Sequence, residues 1–426
     1  MPLGLFLYKS LTILITPFLG VIFRARAKSG KEDTARIAER FVTAPPARPA
    51  QKLIWLHAAS VGESQLLLEL ARRLLKSGLQ GSTLLFTCQT QTASQLVEKA
   101  VSSEPIFQAE MCLQFMAPID ERKIIKRFLD HWCPSVAIFA EGEIWPNMLL
   151  ELQARDVPSV LINARMTEKT IRGWMRWRNT ARKVFGTFDL QIAADIQTRT
   201  GLIELSGKTV TCPGNLKSAL PAPAVDELQF QQLKQHIGDR SVLLAASTHI
   251  GEEALMIDAW MKMQPRPFLI IAPRHPNRGD DVDTLLSMTK AAVARRSEDQ
   301  PITTATEILL ADTMGEMGLW YRLADCVYLG GGHAPGVGGH NPLEALQLGK
   351  PVLTGPSLFN FRDLSERLLP LQGFSIVHGA EELASSYPAL SVSVEMTEML
   401  KSDALGPMSA TLNALEPILV ATGLRT

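Results

Sequence analysis

Apolar, β-rich runs alternate with helical patterns along almost the whole chain, and this alternation constrains the fold more than any other feature. Helical patterns such as Gln65–Lys76 and Ala93–Ala100 separate neighbouring runs. Strands that alternate with helices favour a parallel sheet with helices on both faces. The runs form two series on either side of a proline-containing break at 213–225: Leu53–His57, Thr83–Thr87, Val136–Phe139, Ser159–Ile162, Leu190–Ala193 and Thr209–Cys212, then Val242–Ala246, Phe268–Ala272, Ile308–Leu310, Cys326–Leu329, Val352–Leu353 and Phe374–Val377.

The length of the chain supports two domains. Its 426 residues exceed one ordinary domain. We therefore expect two doubly wound, Rossmann-like α/β domains, at 45–215 and 225–405, and a C-terminal helix within 406–426 that could pack on either. Open α/β sheets bind ligands at the carboxyl ends of their strands, so we expect the functional sites there, in a cleft that the two domains face.

The N-terminal segment has a different character. Residues 3–23 are strongly apolar, and Arg24, Arg26 and Lys28 follow directly. This length is close to that of a bilayer span, and the basic cluster predicts that the following domains stay cytoplasmic. We expect residues 1–28 to form a membrane anchor helix. A true span, a helix lying in the membrane interface and a soluble helix packed on the body remain open.

Composition argues against several classes of function. The chain has 43 Lys and Arg residues and 43 Asp and Glu residues, so its net charge of zero does not suggest a nucleic-acid partner. The five cysteines form no CxxC pair, and the eight histidines form no HxH or HExxH motif. We therefore expect neither a metal site nor a disulfide framework. Walker A, GxSxG and clean GxGxxG motifs are also missing, so none of these cofactor or nucleophile signatures applies.

A glycine-rich loop follows the expected strand Cys326–Leu329. After the loop, the sequence Asn341-Pro342-Leu343-Glu344 is typical of a helix start, since Asn is a favoured cap, Pro a favoured first residue, and Glu can reach back to the cap. Such a loop lets backbone N–H groups approach an anionic ligand. The alternative is a generic crossover between strand and helix. The loop contains six glycines: Gly330, Gly331, Gly332, Gly336, Gly338 and Gly339.

Polar residues follow the strands of the first series. Ser60 and Glu63 have the spacing of a capping box, so Glu63 is either a helix-capping carboxylate or a general base at the strand ends. Glu141 and Glu143 follow Val136–Phe139 and either cap the helix at Pro146 or need buried partners.

A basic segment interleaved with tryptophans follows in the first half. Arg172, Arg176 and Arg178 alternate with Trp174 and Trp177, a composition that suits an anionic amphiphile or a membrane surface. We expect the anionic groups of such a partner to dock on these arginines. The alternative is an ordinary basic surface helix.

Polar residues also follow the strands of the second series. Ser247-Thr248-His249 ends one strand, Pro273-Arg274-His275 follows the next, and Gly315-Glu316-Met317 precedes a helix. Hydroxyls, an arginine and histidines at one edge of a sheet suit a nucleotide phosphate and ribose. Lys217 lies within the break at 213–225, between the two expected domains, which would place it near the cleft.

The motifs HAASVGE, EGEIWPN, NARM, GNLK, STHIGEE, PRHPNR, GEMGLWY and GGHNPLEA resemble those of the Kdo (3-deoxy-D-manno-oct-2-ulosonic acid) transferases, which are similar in fold to other two-domain GT-B glycosyltransferases. The resemblance covers essentially the whole chain. It implies an inverting glycosyltransferase that moves Kdo from CMP-Kdo to a lipid A precursor of the lipid IVA type in lipopolysaccharide core biosynthesis. It also implies that the enzyme needs no cofactor and works on the cytoplasmic face of the bacterial inner membrane.

The resemblance also implies roles for individual residues. Glu63 would be the catalytic base, and Glu141 and Lys217 would help to stabilise the transition state. Two other functions stay open: a nucleotide-sugar epimerase of similar two-domain fold, and a non-catalytic membrane scaffold. The residues expected to hold CMP are Pro273, Arg274, Gly315, Glu316, Met317, Asn341, Pro342, Leu343 and Glu344.

Overall fold

The chain folds as two α/β units, each built around one parallel sheet. The computed structural model describes residues 1–28, 32–79, 81–223, 225–387 and 390–425. The first unit comprises Met1–Leu220 together with Asp403–Thr426, and the second comprises Pro221–Ser402.

The first unit contains a six-stranded parallel sheet of order β3-β2-β1-β4-β5-β6. Side chains alternate across it, so Ile54 and Leu56 pack in one hydrophobic cluster while Trp55 packs in another on the opposite face. Burial on both faces explains why these strands are nearly continuous apolar runs. The strands are β1 (Leu53–Ala58), β2 (Thr83–Cys88), β3 (Cys112–Met116), β4 (Val136–Ala140), β5 (Ser159–Ala164) and β6 (Leu190–Ala193).

Helices cover both faces of this sheet. Several begin at a polar cap, as in α3, where the Ser60 hydroxyl accepts a hydrogen bond from the Glu63 N–H. Short 3₁₀ turns occur at Thr34–Arg36 and Leu216–Ala219. The helices are α1 (Leu3–Lys28), α2 (Ile37–Arg40), α3 (Val61–Lys76), α4 (Gln91–Ser103), α5 (Pro105–Gln108), α6 (Arg122–Trp132), α7 (Pro146–Gln153), α8 (Glu168–Met175), α9 (Arg178–Phe185) and α10 (Ile196–Ser206).

The second unit contains a seven-stranded parallel sheet of order β13-β12-β11-β7-β8-β10-β9. It too has a hydrophobic cluster on each face, with Leu244 and Ile270 on one side and Leu243 and Leu269 on the other. The strands are β7 (Val242–Thr248), β8 (Phe268–Pro273), β9 (Val293–Arg295), β10 (Ile308–Leu310), β11 (Cys326–Leu329), β12 (Val352–Thr354) and β13 (Phe374–Ile376).

The helices of the second unit are shorter, and the chain ends in a long one. That last helix begins in the second unit, and its residues from Asp403 onward belong to the first, where Leu415 and Leu419 join the core. Two 3₁₀ turns lie at Pro276–Arg278 and Arg296–Glu298. The helices are α11 (Glu227–Ile237), α12 (Glu252–Lys262), α13 (Gly279–Ser287), α14 (Met317–Leu323), α15 (Leu343–Gln347), α16 (Arg362–Leu368), α17 (Ala380–Ser386) and α18 (Val394–Ala421).

The expected α/β fold with two doubly wound, Rossmann-like units and an apolar N-terminal helix is confirmed, with corrections at single strands. Thr209–Cys212 is not a strand, since only Thr211 forms a bridge, to Ile192. Pro213 follows at once and cannot donate a backbone hydrogen bond that would extend the pairing. Two edge strands were not predicted: β3, whose apolar run is interrupted by Gln114, and the three-residue β9.

Helix α1 lies against the first unit along much of its length. The Tyr8 hydroxyl donates to Asp120 Oδ2 at 2.7 Å, and the Arg40 guanidinium stacks over the Phe23 ring at 5.0 Å. In the described part of the chain, α1 alone is long and apolar enough to cross a membrane, with a mean hydropathy of 1.8. Its outward apolar side chains are mostly more than half exposed: Leu3, Phe6, Leu7, Leu11, Ile13, Leu14, Phe18 and Val21.

Candidate active site

Three neighbouring strands of the first unit, β1, β4 and β5, bring an acidic cluster to their carboxyl ends. Glu63 follows β1, Glu141 and Glu143 follow β4, and Asn163 lies near the end of β5. Because these strands are parallel and adjacent, residues far apart in sequence meet at one edge of the sheet. We call Glu63, Glu141, Glu143 and Lys217 the acidic cluster.

Glu63 takes part in capping α3 and also has a shifted pKa. Its carboxylate accepts hydrogen bonds from the Ala59 N–H at 2.7 Å and the Ser60 hydroxyl at 2.9 Å, and the side chain is only 8% exposed. Burial raises the pKa of Glu63 above its ordinary value. The nearby carboxylates of Glu143 and Glu141 raise it further, while the two hydrogen bonds oppose the shift. A carboxyl with a raised pKa is a better proton acceptor near neutral pH.

Glu143 is held in its charged form by a buried histidine. His57 Nε2 lies 3.1 Å from Glu143 Oε2, and Trp145 Nε1 donates to the same oxygen at 2.8 Å. Burial alone would raise the pKa of Glu143, but these contacts lower it below its ordinary value. His57 is fully buried, and Thr87 fixes its other ring nitrogen at 2.8 Å. Glu143 therefore stays anionic close to Glu63.

Glu141 forms an ion pair with Lys217. The Lys217 Nζ lies 2.6 Å from Glu141 Oε1, and Asn163 Nδ2 donates to the same oxygen at 3.1 Å. A Cβ added at Gly62 would lie 3.3 Å from Lys217 Nζ, so the ammonium group sits over the first turn of α3. The acidic cluster thus places the Lys217 ammonium group and the carboxyl groups of Glu141 and Glu143 near Glu63, whose pKa is raised.

The backbone is strained at this strand edge. Glu141 has a φ of 55° and Asn163 a φ of 50°, in the left-handed region that side chains rarely adopt. Asn163 Oδ1 also accepts the Leu216 N–H at 2.8 Å, which ties the segment carrying Lys217 to β5. Strained residues of this kind concentrate at functional sites.

In the second unit, β11, β7 and β8 are neighbours and carry the predicted donor residues to one edge. The Arg274 N–H donates to the Thr248 carbonyl at 3.0 Å, and the Arg274 side chain is exposed. His249 Nε2 and His340 Nε2 lie 2.8 Å apart with nearly parallel rings. Burial lowers the pKa of His340 to about 4 and also lowers that of His249. This pair is therefore neutral and shares a single proton between its facing nitrogens.

The glycine-rich loop is organised by a buried carboxylate that the sequence analysis did not single out. Glu252 is 1% exposed. It accepts hydrogen bonds from the Gly331 N–H at 2.8 Å and the His333 N–H at 3.0 Å. The Tyr328 hydroxyl at 3.2 Å and the His249 N–H at 2.9 Å complete the set. Two loop N–H groups that the sequence offered to a ligand are thus bound internally.

Packing accounts for part of the glycine content of this loop. A Cβ added at Gly330 would lie 2.5 Å from the Ser247 carbonyl, and one at Gly332 would lie 2.5 Å from the Gly355 nitrogen. No side chain fits in either place. The crossover interpretation of the loop therefore explains these two glycines without a ligand.

The helix after the loop begins slightly later than expected. Pro342 occupies the cap position and α15 starts at Leu343, although Asn341 Oδ1 still accepts the Leu343 N–H at 3.2 Å. The Leu343 side chain is buried in the core, so only its backbone could meet a ligand. Burial raises the pKa of Glu344, and the nearby Arg274 lowers it in part.

Gly315, Glu316 and Met317 follow β10, the neighbour of β8. The Glu316 carboxylate lies 2.6 Å from the Arg296 guanidinium and accepts from the Thr313 hydroxyl. Burial alone would raise its pKa, but these contacts lower it. Met317 begins α14 and packs against the core. Gly315 has a φ of 86° and open space beside it, which leaves its backbone accessible.

Of the three arginines predicted to bind the acceptor, Arg172 lies on α8, Arg176 follows that helix directly, and Arg178 begins α9. Arg172, Arg176 and Arg178 are all exposed, and Arg172 pairs with Glu168 at 2.6 Å. Among the described residues, no three His, Cys, Asp or Glu side chains come together in a way that could hold a metal ion.

Sequence reasoning missed His57 and Glu252, and a signal existed for both. Each lies in a motif that was noted, HAASVGE or STHIGEE. His57 belongs to an otherwise apolar strand, and a polar residue at such a position must find buried partners. Glu252 and Glu253 form the acidic first turn of α12, a pattern that by itself indicates only a favourable helix start.

Comparison with known proteins places the chain in a family. A family profile described as 3-deoxy-D-manno-octulosonic-acid transferase (kdotransferase) matches residues 35–220. A 3-deoxy-D-manno-octulosonic acid transferase of Haemophilus influenzae is 30% identical over 97% of this chain and 97% of its own length. The chain belongs to the Kdo transferase family. It is therefore a glycosyltransferase, as the sequence motifs indicated.

Solved structures support the fold of this Kdo transferase without adding to its chemistry. A glycosyltransferase from Rickettsia africae is 12% identical, with a TM-score of 0.58, over 87% of this chain and 99% of that one. A putative UDP-N-acetylglucosamine 2-epimerase from Listeria monocytogenes is 14% identical, with the same TM-score, over 86% and 96%. The fold alone does not separate transferase from epimerase, whereas family membership favours the transferase.

Proposed function

We propose that this enzyme transfers Kdo from CMP-Kdo to a lipid A precursor of the lipid IVA type, with inversion at the anomeric carbon and Glu63 as the general base. The acceptor's hydroxyl oxygen would form the new bond to the anomeric carbon, and the Glu63 carboxylate would accept the proton that this hydroxyl loses. The bond from that carbon to the CMP phosphate oxygen would break, and CMP would leave with the electron pair. Such a single displacement inverts the centre.

The observation that carries this proposal is the raised pKa of a buried, oriented carboxyl. Hydrogen bonds from Ala59 and Ser60 fix the orientation of Glu63, and burial beside two carboxylates makes it more basic. Positioned bases of this kind contribute about 10²- to 10⁴-fold to rates. Lys217, paired with Glu141, supplies the positive charge that would stabilise the developing negative charge nearby.

For the donor, we propose that CMP binds at the strand ends of the second unit. The exposed Arg274 would pair with the phosphate, and the Glu344 carboxylate would accept a hydrogen bond from a ribose hydroxyl. The remaining predicted residues would line the CMP site or contact CMP through their backbones: Pro273, Gly315, Met317, Asn341, Pro342 and Leu343. Glu316 would contribute indirectly, through its ion pair with Arg296.

For the acceptor, we propose that α1 attaches the first unit to the cytoplasmic face of the bacterial inner membrane as an interfacial helix. Its contacts from Tyr8 to Phe23 cover about 22 Å at about 1.5 Å per residue. A helix held along the protein over that length cannot also cross a hydrocarbon core of about 30 Å. Its outward apolar side chains suit insertion at the headgroup boundary. Arg172, Arg176 and Arg178 would meet the lipid phosphates.

Replacing Glu63 with Gln tests the base assignment. Glutamine also serves in capping boxes, so the start of α3 should survive, but the amide cannot take a proton. We expect kcat for Kdo transfer to fall by about 10²- to 10⁴-fold, with CMP affinity in calorimetry unchanged. The acid limb of the wild-type pH profile should lie above the ordinary glutamate pKa of about 4.3, because the pKa of Glu63 is raised and protonation removes the base. This limb should vanish in the variant.

The matched control is Glu69→Gln on the same helix. Glu69 is also 8% exposed, and it pairs with Arg72 and Arg73, away from the acidic cluster. Its loss should lower stability without changing kcat. Turnover of Glu63→Gln within about fivefold of wild type would refute the base role.

A further inference from the structure

An apolar cavity of about 350 Å³ lies between α1 and α8 in the first unit. Leu5, Leu7 and Tyr8 form the wall on α1, and Thr170, Gly173 and Trp174 form the wall on α8. Apolar cavities of about 150 Å³ stay dry and bind benzene. By proportion, this cavity has room for an aliphatic chain on the order of ten carbons. We call it the α1–α8 cavity.

One close contact, between Gly4 of α1 and the start of α9, and one missing side chain, at Gly173 of α8, shape this cavity. Thr170, Gly173, Trp174 and Trp177 are spaced three and four apart and so share one face of α8 and its continuation. At Gly4 the helices touch: an added Cβ would lie 2.7 Å from Thr180 Oγ1 and 2.9 Å from the Trp177 ring. Further along, Gly173 has no atom within 4 Å of an added Cβ. The contact at Gly4 closes one end, and the missing side chain at Gly173 leaves the space open.

The surroundings of the cavity match an anionic lipid. Leu3, Phe6 and Leu11 of α1 are more than half exposed beside it, so the apolar surface continues outward. Arg172 and Arg176 each immediately precede a residue of the lining face, which puts them at its edge. Apolar walls with cations at the rim are complementary to an acyl chain below a phosphorylated headgroup.

The cavity also lies close to the acidic cluster. Pro146 lines it and is three residues from Glu143. Three residues span at most about 11 Å, so the cavity wall begins within that distance of the Glu143 backbone. Glu143 in turn is near enough to Glu63 to raise its pKa. A lipid with one hydrocarbon chain in this cavity would therefore have its headgroup near Glu63.

We propose that the α1–α8 cavity receives one hydrocarbon chain of the acylated acceptor lipid. The inference rests on the proposed function for the identity of the headgroup, whereas chain binding can be measured without any transfer. The chain would anchor the acceptor, and the arginines at the rim would hold its phosphate. This makes an acyl chain part of what the enzyme recognises.

The test fills the cavity at Gly173 and measures binding by tryptophan fluorescence. A tetra-acylated lipid A precursor with terminally brominated chains should quench Trp174 and Trp177 in the full-length protein. In Gly173→Phe the ring occupies the cavity, and this quenching should be lost. Each buried methylene is worth about fourfold in affinity. If the ring introduced by Gly173→Phe displaces two methylenes, kcat/KM for the acylated precursor, divided by kcat/KM for the deacylated precursor, should fall by about fifteenfold.

The control is Gly406→Phe on α18, a helical position that is exposed and also has no atom within 4 Å of an added Cβ. It should keep wild-type quenching and the wild-type ratio. Equal quenching in both variants would overturn the proposal. Brominated phosphatidylethanolamine that quenches equally and is not displaced by unlabelled precursor would assign the cavity to a bilayer lipid and also overturn it. Wild-type quenching without Kdo transfer would count against the proposed function while supporting chain binding.

Discussion

Glu252 determines the shape of the glycine-rich loop, and replacing it with Gln should loosen that loop measurably. The carboxylate receives three backbone N–H groups, from His249, Gly331 and His333, and the Tyr328 hydroxyl. Its 1% exposure means that water cannot take over these bonds. Glutamine keeps the size of the side chain but replaces one acceptor oxygen with a donor NH₂ group. At least one backbone N–H would then face another donor.

The magnitude follows from the bonds that are lost. A hydrogen bond to a charged group contributes about 1.5–3 kcal/mol, and an unsatisfied buried donor costs about 1–3 kcal/mol. With one bond weakened and one N–H left without an acceptor, opening of the loop should become easier by about 3 kcal/mol. This corresponds to about a hundredfold increase in the population of the open loop.

Hydrogen exchange followed by mass spectrometry measures this effect locally. Exchange in peptides covering 329–340 should accelerate by about that factor in Glu252→Gln, and CMP affinity should fall because the loop carries His340 and leads into Asn341. The control is Glu381→Gln, whose exposed carboxylate lies 3.7 Å from Lys262, and which should exchange like wild type. Unchanged exchange at Gly331 and His333 in Glu252→Gln would refute the argument that this carboxylate holds the loop.

Two further predictions concern the donor site and the N-terminal helix. Arg274→Ala should weaken CMP binding by about ten- to a hundredfold, the loss of one charge-assisted hydrogen bond; unchanged affinity in calorimetry would contradict this. Burial raises the pKa of Asp120, which holds Tyr8, to about 6, whereas an unfolded aspartate has a pKa of about 3.9. The folded state therefore binds this proton more tightly, and this group should add up to about 3 kcal/mol to the unfolding free energy as the pH falls from about 7 to about 4. Denaturation midpoints should lose that pH dependence in Asp120→Asn, and an unaltered dependence would refute the assignment.

The sequence predicted the architecture well because the apolar runs, their spacing and the polar residues that bound them are sufficient to locate most strands. Strands such as β1 and β7 are continuous apolar runs bounded by polar clusters, and parallel sheets bury both faces. The failures follow from the same rule. The run Thr209–Cys212 is apolar only in part and meets Pro213, while β3 includes Gln114, whose amide oxygen accepts from Arg36. A side chain with a distant partner can belong to a strand even though the local pattern breaks.

The candidate site was less predictable because its chemistry depends on partners that are far apart in sequence. Glu141 could be located after β4, but its pairing with Lys217, 76 positions away, depends on Asn163 tying that segment to β5. The glycine-rich loop is predicted either to offer its N–H groups to a ligand or to be a generic crossover, and Glu252 accepts hydrogen bonds from two of those N–H groups. The spacing of motifs along the sequence shows which residues lie at the carboxyl edge of a sheet. Only the tertiary structure shows which of their hydrogen-bonding groups are still free to bind a ligand.

Glu63 shows that two interpretations of one residue can be complementary. The spacing of Ser60 and Glu63 predicts either a helix-capping carboxylate or a general base. The capping contacts to Ala59 and Ser60 hold the carboxylate in one orientation, but hydrogen bonds of this kind also lower a pKa and so weaken a base. Burial beside Glu143 and Glu141 outweighs them, and the net shift is upward. A base needs both a fixed position and sufficient basicity, and here the cap supplies the first while the neighbouring carboxylates help to supply the second. Glu143 can raise the pKa of Glu63 only while it stays charged, so the buried His57, which lowers the pKa of Glu143, would support the proposed base without touching it.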